Sequence, residues 1–158
     1  MVEADELRAA MRRFPAGIAV LTLVADGRAH ALTVGSLVSL SLEPPLVGVA
    51  VGHQSQLHEP LRDAGRFVVN VLSGEQAHVA QHFARSVPPI ALWSGIATRE
   101  SHLPEPLLEG AAAWLECAVR SAHPAGDHTF FVADVLSTEL GRPAGGLTYV
   151  GGEYRSVG

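Results

Sequence analysis

Short runs of β-forming residues, broken by glycine-bearing turns and with no regular alternation of helices between them, constrain this chain more than any other feature. Ile18 to Val24 and Ala29 to Val34 flank Asp26 and Gly27, a dipeptide suited to the positive φ angles of a tight hairpin. Leu147 to Val150 and Glu153 to Arg155 flank Gly151 and Gly152 as a second, closing hairpin. Leu46 to Val51, just after Pro44 and Pro45, is apolar on both alternating faces, which predicts a central strand of a barrel wall packed against a partner surface. Phe67 to Leu72 is another strand. The two longest candidates, Trp114 to Ser121 and Thr129 to Leu140, are joined by a turn-rich loop from His123 to His128. The count is seven or eight strands with two or three short helices, so the fold class is mostly β, a closed or nearly closed β-barrel. A doubly wound parallel sheet fits worse.

Three segments are helix candidates. Glu3 to Arg13 carries Leu7, Ala10, Met11 and Phe14 on one face, with acids in its first turn and Arg12 and Arg13 in its last. Ser55 is placed to cap a short helix through Leu57, Leu61 and Ala64 that Gly65 ends. Ser73 followed by Gln76 is a capping-box pattern opening a helix with Val79, Ala80 and Phe83 on one face. From Ser86 to Gly110 no period is visible, and so long an irregular segment is expected to lie over a cleft.

The 158 residues are about one domain's worth, so residues 1–158 are read as a single unit. Hydrophobic residues at 47% against 17% charged exclude a disordered chain. A net charge of −5, with all 11 basic residues arginine, supplies no basic stripe for nucleic acid or anionic lipid. Cys117 is the single cysteine, which excludes an internal disulfide and favours a cytoplasmic location. The acidic start, Glu3 to Glu6, lacks the basic and then apolar character of an export signal. No apolar run approaches the roughly 20 residues of a membrane-crossing helix.

Several motifs could carry chemistry. Thr33, Val34, Gly35 and Ser36 place short hydroxyl donors beside a glycine just past a strand, where backbone N–H groups can approach a phosphate or the polar edge of a flat heterocycle. Read alone, they are a polar strand edge before they are a site. Ser55 at a helix start is a second candidate anion site, although most such serines only cap. His78 and His82 share one helical face at four-residue spacing, but Val79, Ala80 and Gln81 supply no glutamate between them and no third ligand is evident. No metal is expected. Neither G-x-S-x-G nor G-x-G-x-x-G occurs, so a hydrolase elbow and a Rossmann site are both unsupported. Cys117 sits mid-strand in apolar company and reads as a buried small hydrophobe. Gly126, Asp127 and His128 form the most distinctive polar cluster: a turn residue, an acid able to tie down the turn, and an imidazole at a strand start.

In this order the motifs resemble the flavin reductase-like family of FMN-binding split barrels, the short-chain reductases that serve two-component flavin monooxygenases. The resemblance rests on Phe14-Pro15-Ala16-Gly17, on His30 to Ser36 leading to Leu42 to Val47, and on Gly65 to Leu72. It continues through Trp114-Leu115-Glu116-Cys117, Gly126-Asp127-His128-Thr129 and Gly152-Glu153-Tyr154-Arg155, so it spans nearly the whole chain.

The resemblance implies a Greek-key split barrel and a homodimer with FMN near the subunit interface. NADH or NADPH would reduce the flavin, with FAD as the alternative flavin, and the reduced flavin would leave for a partner monooxygenase. It further implies that Thr33, Val34, Gly35 and Ser36 hold the isoalloxazine, that Ala50, Val51 and Gly52 line it, and that the region of Ser55, Gln56 and Leu57 takes the phosphate. Phe83 would end a helix beside the flavin, and His128 would lie near the nicotinamide as the catalytic residue. Two departures stand out. Serine is frequent in the family where Gly35 stands, and an arginine and a threonine where Gln56 and Leu57 stand, which implies a loosely held flavin with Arg85 placed to restore the charge. A flavin-retaining oxidase or oxygenase and a non-catalytic flavin-binding module are the alternative readings.

Overall fold

At Asp26 and Gly27 the backbone takes φ angles of 52° and 70°, and the hairpin around them forms as their residue types require. The structure, a computed structural model, describes all 158 residues. In chain order the elements are α1 (Ala4–Met11), β1 (Ala16–Gly17), β2 (Ala19–Ala25), β3 (Arg28–Val34), β4 (Val38–Leu42), β5 (Pro45–Gly52), α2 (His58–Ala64), β6 (Arg66–Val71) and α3 (Ala77–Ala84). There follow β7 (Thr98–Arg99), β8 (Leu107–Leu108), β9 (Ala113–Ala125), β10 (His128–Leu140), β11 (Gly146–Val150) and β12 (Glu153–Val157).

Seven strands form one antiparallel sheet in the order β3-β2-β6-β9-β10-β5-β4. Its two edge strands, β3 and β4, are consecutive in sequence and separated only by Gly35, Ser36 and Leu37. So short a link cannot span a flat seven-stranded sheet, so the sheet curls until its edges meet at that corner. The result is the mostly β split-barrel architecture expected from the sequence. The short strands β1, β11 and β12 make a second sheet and β7 with β8 a third, which is why the strand count exceeds the seven or eight expected.

Alternation along β2 shows why both of its faces are apolar. Ala19, Leu21 and Leu23 point into the barrel with Val49, Val51, Phe67, Val69 and Phe131, whereas Ile18 and Val20 face outward onto Val79, Ala80 and Phe83 of α3. Strand β5 is interior to the sheet, as expected, with β10 on one side and β4 on the other. Buried Asn70 on β6 is a polar pin: its amide donates to the Val20 carbonyl and to Thr22 Oγ1, both at 3.0 Å, and its Oδ1 accepts from the Leu108 N–H at 2.8 Å. Thr22 passes the link on to the Pro106 carbonyl at 2.6 Å.

Four local expectations need correction. His123 to His128 is not a loop, because β9 runs to Ala125 and only Gly126 and Asp127 turn the chain. Beyond Ala118 strand β9 no longer pairs with β6 and becomes an edge, where Pro124 is tolerated. Ser55 does not cap α2: its hydroxyl accepts the N–H of Leu57 at 3.1 Å, and Leu57, not Ser55, is the residue that precedes the helix at His58; Gly65 does end it, at φ 66°. Only half of the Ser73 capping box forms, through Gln76 Oε1 and the Ser73 N–H at 2.9 Å. Helix α1 forms, but none of its residues is buried.

Candidate functional site

Hydroxyls hold the corner where the sheet edges meet. Ser36 Oγ donates to the Ala50 carbonyl at 2.8 Å and accepts the Ala50 N–H at 3.1 Å, stitching the β3–β4 link onto β5. Thr33 Oγ1 donates to the Ala80 carbonyl at 2.7 Å and ties β3 to α3. Both serve first as structural pins. Val34 and Val51 lie in the barrel core, so they can offer a ligand only backbone atoms. At Gly35 a Cβ would meet the Ala16 Cβ at 3.3 Å and the Ile18 Cδ1 at 3.5 Å, which gives a packing reason for glycine here.

The register of β5 and β10 sets His128 opposite Gly52. A Cβ on Gly52 would lie 3.6 Å from His128 Nε2, an ordinary contact distance, so the imidazole lies beside the β5 backbone at Gly52. His128 Nδ1 lies 2.7 Å from Asp127 Oδ1, and the hydrogen bond from His128, followed by its charge, holds the Asp127 carboxyl below the usual range. A carboxylate can only accept, so Nδ1 carries the proton and, in the neutral ring, Nε2 is left as an acceptor beside Gly52. Ala50, Gly52, Ser36 and His128 therefore share one end of the β5–β10 ribbon.

Gly52 leads into the turn that carries the rest. Ser55 N–H donates back to the Gly52 carbonyl at 3.0 Å, and Ser55, Gln56 and Leu57 then line a cleft of about 230 Å³ together with Phe83 and Arg85. The Ser55 oxygen accepts from Leu57 N–H, which leaves the hydroxyl proton free to donate. Arg85 is exposed and in no ion pair, so an unopposed guanidinium faces the same cleft. The side chain of Leu57 turns into the core and Phe83 is buried, its ring tilted against Trp93 at 5.3 Å. A guanidinium and a hydroxyl proton converging on one cleft suit an anion, while the ribbon end presents an imidazole and a polar backbone edge to a flat polar ring.

The irregular segment covers this cleft at its first part only, through Ser86, Val87 and Leu92. His82 Nε2 donates to the Leu92 carbonyl at 2.7 Å and ties the segment to α3. Trp93 Nε1 donates to the Ala29 carbonyl at 3.2 Å and anchors it to β3. An adjoining groove of about 490 Å³ runs past His30, Gln56 and Trp93.

Sequence reasoning missed the side chains behind the site. His58, buried at the start of α2, places Nε2 2.7 Å from Thr129 Oγ1 and Nδ1 2.9 Å from Glu59 Oε1. His53 places Nε2 3.2 Å from the same hydroxyl. Only the register that sets Thr129 beside Val51 brings these together, and no spacing in the sequence signals it.

The sequence profile of the flavin reductase like domain matches residues 11–158. An "NADH-dependent FMN reductase" of Streptomyces nodosus subsp. asukaensis is 35% identical over 158 residues, covering 96% of this chain and 84% of the relative. The reductase component of 4-hydroxyphenylacetate 3-monooxygenase of Thermus thermophilus is 34% identical over 153 residues, covering 97% of this chain and 96% of its own length. An NADH:FAD oxidoreductase of Streptomyces globisporus, solved in complex with NAD and FAD fragments, superposes with a TM-score of 0.91 at 30% identity, over 100% of this chain and 96% of the other. With the profile running from the end of α1 to the last residue, on a curled sheet of matching shape, the chain belongs to the flavin reductase-like family.

Proposed function

We propose that this protein is an NAD(P)H-dependent flavin reductase that takes FMN, or FAD, as its flavin and supplies the reduced form to a partner monooxygenase. The observation that carries it is the continuity of the site: one turn, Gly52 to Leu57, joins an anion cleft holding Ser55 and Arg85 to a ribbon end presenting His128. A flavin mononucleotide has just these two ends, a phosphate and a polar fused ring, and supplies the hydride acceptor.

The chain's own residues bind and orient. Arg85 and the Ser55 hydroxyl hold the phosphate, with Gln56 at the cleft wall. The backbone of Val34, Gly35, Ala50, Val51 and Gly52 and the hydroxyls of Thr33 and Ser36 define the ledge for the ring. His128, held in one tautomer by Asp127, presents Nε2 as an acceptor for the nicotinamide carboxamide. Hydride transfer between stacked rings requires orientation above all, so no strong acid or base is needed at the reacting atoms. The absence of a cation at Gln56 leaves Arg85 as the charge on the phosphate, in keeping with a flavin that comes and goes as a substrate.

We read residues 1–158 as one functional unit, located in the cytoplasm and acting as a homodimer. The cytoplasmic reading rests on a lone buried Cys117 in a structure none of whose helices is long and apolar enough to cross a membrane. The dimer rests on the apolar face of α1 and the edge strand β4, where Leu42 is 88% exposed. Purified protein is expected to oxidise NADH or NADPH many times faster once FMN is added. No flavin-dependent rate with either nucleotide would defeat the reading.

A further inference from the structure

We propose that the Thr129 hydroxyl is a positioning group for the flavin: through His58 and His53 it locks the turn that carries Ser55 against the strand that carries His128. The inference rests on the flavin reductase reading and assigns to it residues outside the site described above.

Donor and acceptor counting makes the lock directional. Glu59 as a carboxylate can only accept, so His58 Nδ1 carries a proton and donates it across 2.9 Å. In the neutral ring His58 Nε2 is then an acceptor, and the hydrogen across its 2.7 Å contact must come from Thr129 Oγ1. The hydroxyl has spent its only proton, so His53 Nε2 donates to it at 3.2 Å. The chain of bonds reads His53 to Thr129 to His58 to Glu59, with every partner satisfied. His58 and Thr129 are 4% and 5% exposed, so water cannot replace the bond between them at low free-energy cost. A backbone bond at the same place, from His53 N–H to the Asp127 carbonyl at 2.9 Å, makes the attachment two-point. Phe131 packs edge-on to His58 at 6.0 Å and fixes the ring plane.

Both imidazoles flank the Ser55 turn, one on either side, while Thr129 follows His128 directly. Loss of the hydroxyl frees the turn to shift relative to β10, which moves the phosphate anchor and leaves the imidazole opposite Gly52 in place. The signature is selective: flavin affinity falls while the chemistry and the nicotinamide site persist.

The test compares Thr129→Val, which keeps the shape and removes the hydroxyl, with Thr129→Ser, which keeps the hydroxyl. Thr129→Val is expected to raise both the KM for FMN and the Kd for FMN, followed by quenching of flavin fluorescence, by about tenfold. Its kcat at saturating FMN and its KM for NADH should stay within about twofold of wild type, and Thr129→Ser should restore the FMN values. A brace with only a structural role would lower the melting temperature without this split. A wild-type KM for FMN in Thr129→Val, or a loss in which both KM values and kcat move together, overturns the proposal. Should Thr129→Val fail to fold, Glu59→Ala at an exposed position removes the acceptor that fixes the His58 tautomer, with a selective rise in KM for FMN of about threefold expected and no change overturning the proposal. Wild-type protein that takes up no FMN would overturn the functional reading and this proposal with it, whereas wild-type uptake matched by Thr129→Val overturns the positioning alone.

Discussion

Arg85 and His128 lie at opposite ends of the site and are expected to fail in opposite ways. On the proposed reading Arg85→Ala removes a charge-assisted bond to phosphate, so the KM for FMN should rise by about tenfold or more while kcat at saturating flavin holds. His128→Ala should slow flavin reduction more than it weakens FMN binding, and equal effects on both would remove its assigned role. Stopped-flow reduction together with flavin titration separates the two variants. Cys117 illustrates the opposite kind of residue. Burial pushes its thiol up to about 12, which makes it inert in the folded chain, as its apolar strand context suggested. The residue types at Ser55, Arg85 and His128 were legible as chemistry. That Arg85 meets Ser55 was expected from the family resemblance alone and not from any spacing, because the two are thirty positions apart and converge only when α3 docks on the outer face of the sheet.

Across three neighbouring strands, Arg66 of β6, Glu116 of β9 and Ser137 of β10 form a ladder of bonds. Arg66 Nη2 donates to Glu116 Oε1 at 2.7 Å and Ser137 Oγ to Glu116 Oε2 at 2.8 Å. The Ser137 hydrogen bond, followed by Arg66, lowers the Glu116 carboxyl from its ordinary value of 4.5. A depressed folded value means that the contribution to stability is fully present above the unfolded value and is lost as pH falls through the folded one. Melting temperature should therefore drop on acidification below about pH 4.5, and Glu116→Gln should flatten that limb of the curve. A parallel acid limb in Glu116→Gln would rule the ladder out as its source. Asn70→Ala tests the other cross-element pin. It deletes an amide with three hydrogen bonds and strands Leu108 N–H, so a loss of about 2–4 kcal/mol is expected in denaturant unfolding. At this scale the sequence showed strand and helix existence well and boundaries less well. The stretch with Pro124 read as a turn-rich loop because the sequence does not reveal that β9 has become an edge strand there.

The curled sheet as a whole leaves α1 and β4 with apolar side chains that find no cover within the chain. Leu7 and Met11 are more than half exposed, and Leu40 and Leu42 project from the sheet edge. On the proposed homodimer a second copy covers this face, so sedimentation is expected to give twice the chain mass. Leu42→Asp should shift it to monomer; a wild-type monomer at micromolar concentration would refute the dimer.

The sequence by itself determined the β-rich class, the tight turns at Asp26-Gly27 and Gly151-Gly152, the helix end at Gly65 and the buried face of α3. Each follows from local stereochemistry or from the period of apolar residues, which short stretches carry in full. The tertiary structure decided the strand order, the corner that Ser36 closes, the approach of His128 to Gly52 and the lock through Thr129. These depend on which strands pair and in which register, and register is set by the packing of residues tens of positions apart in the chain.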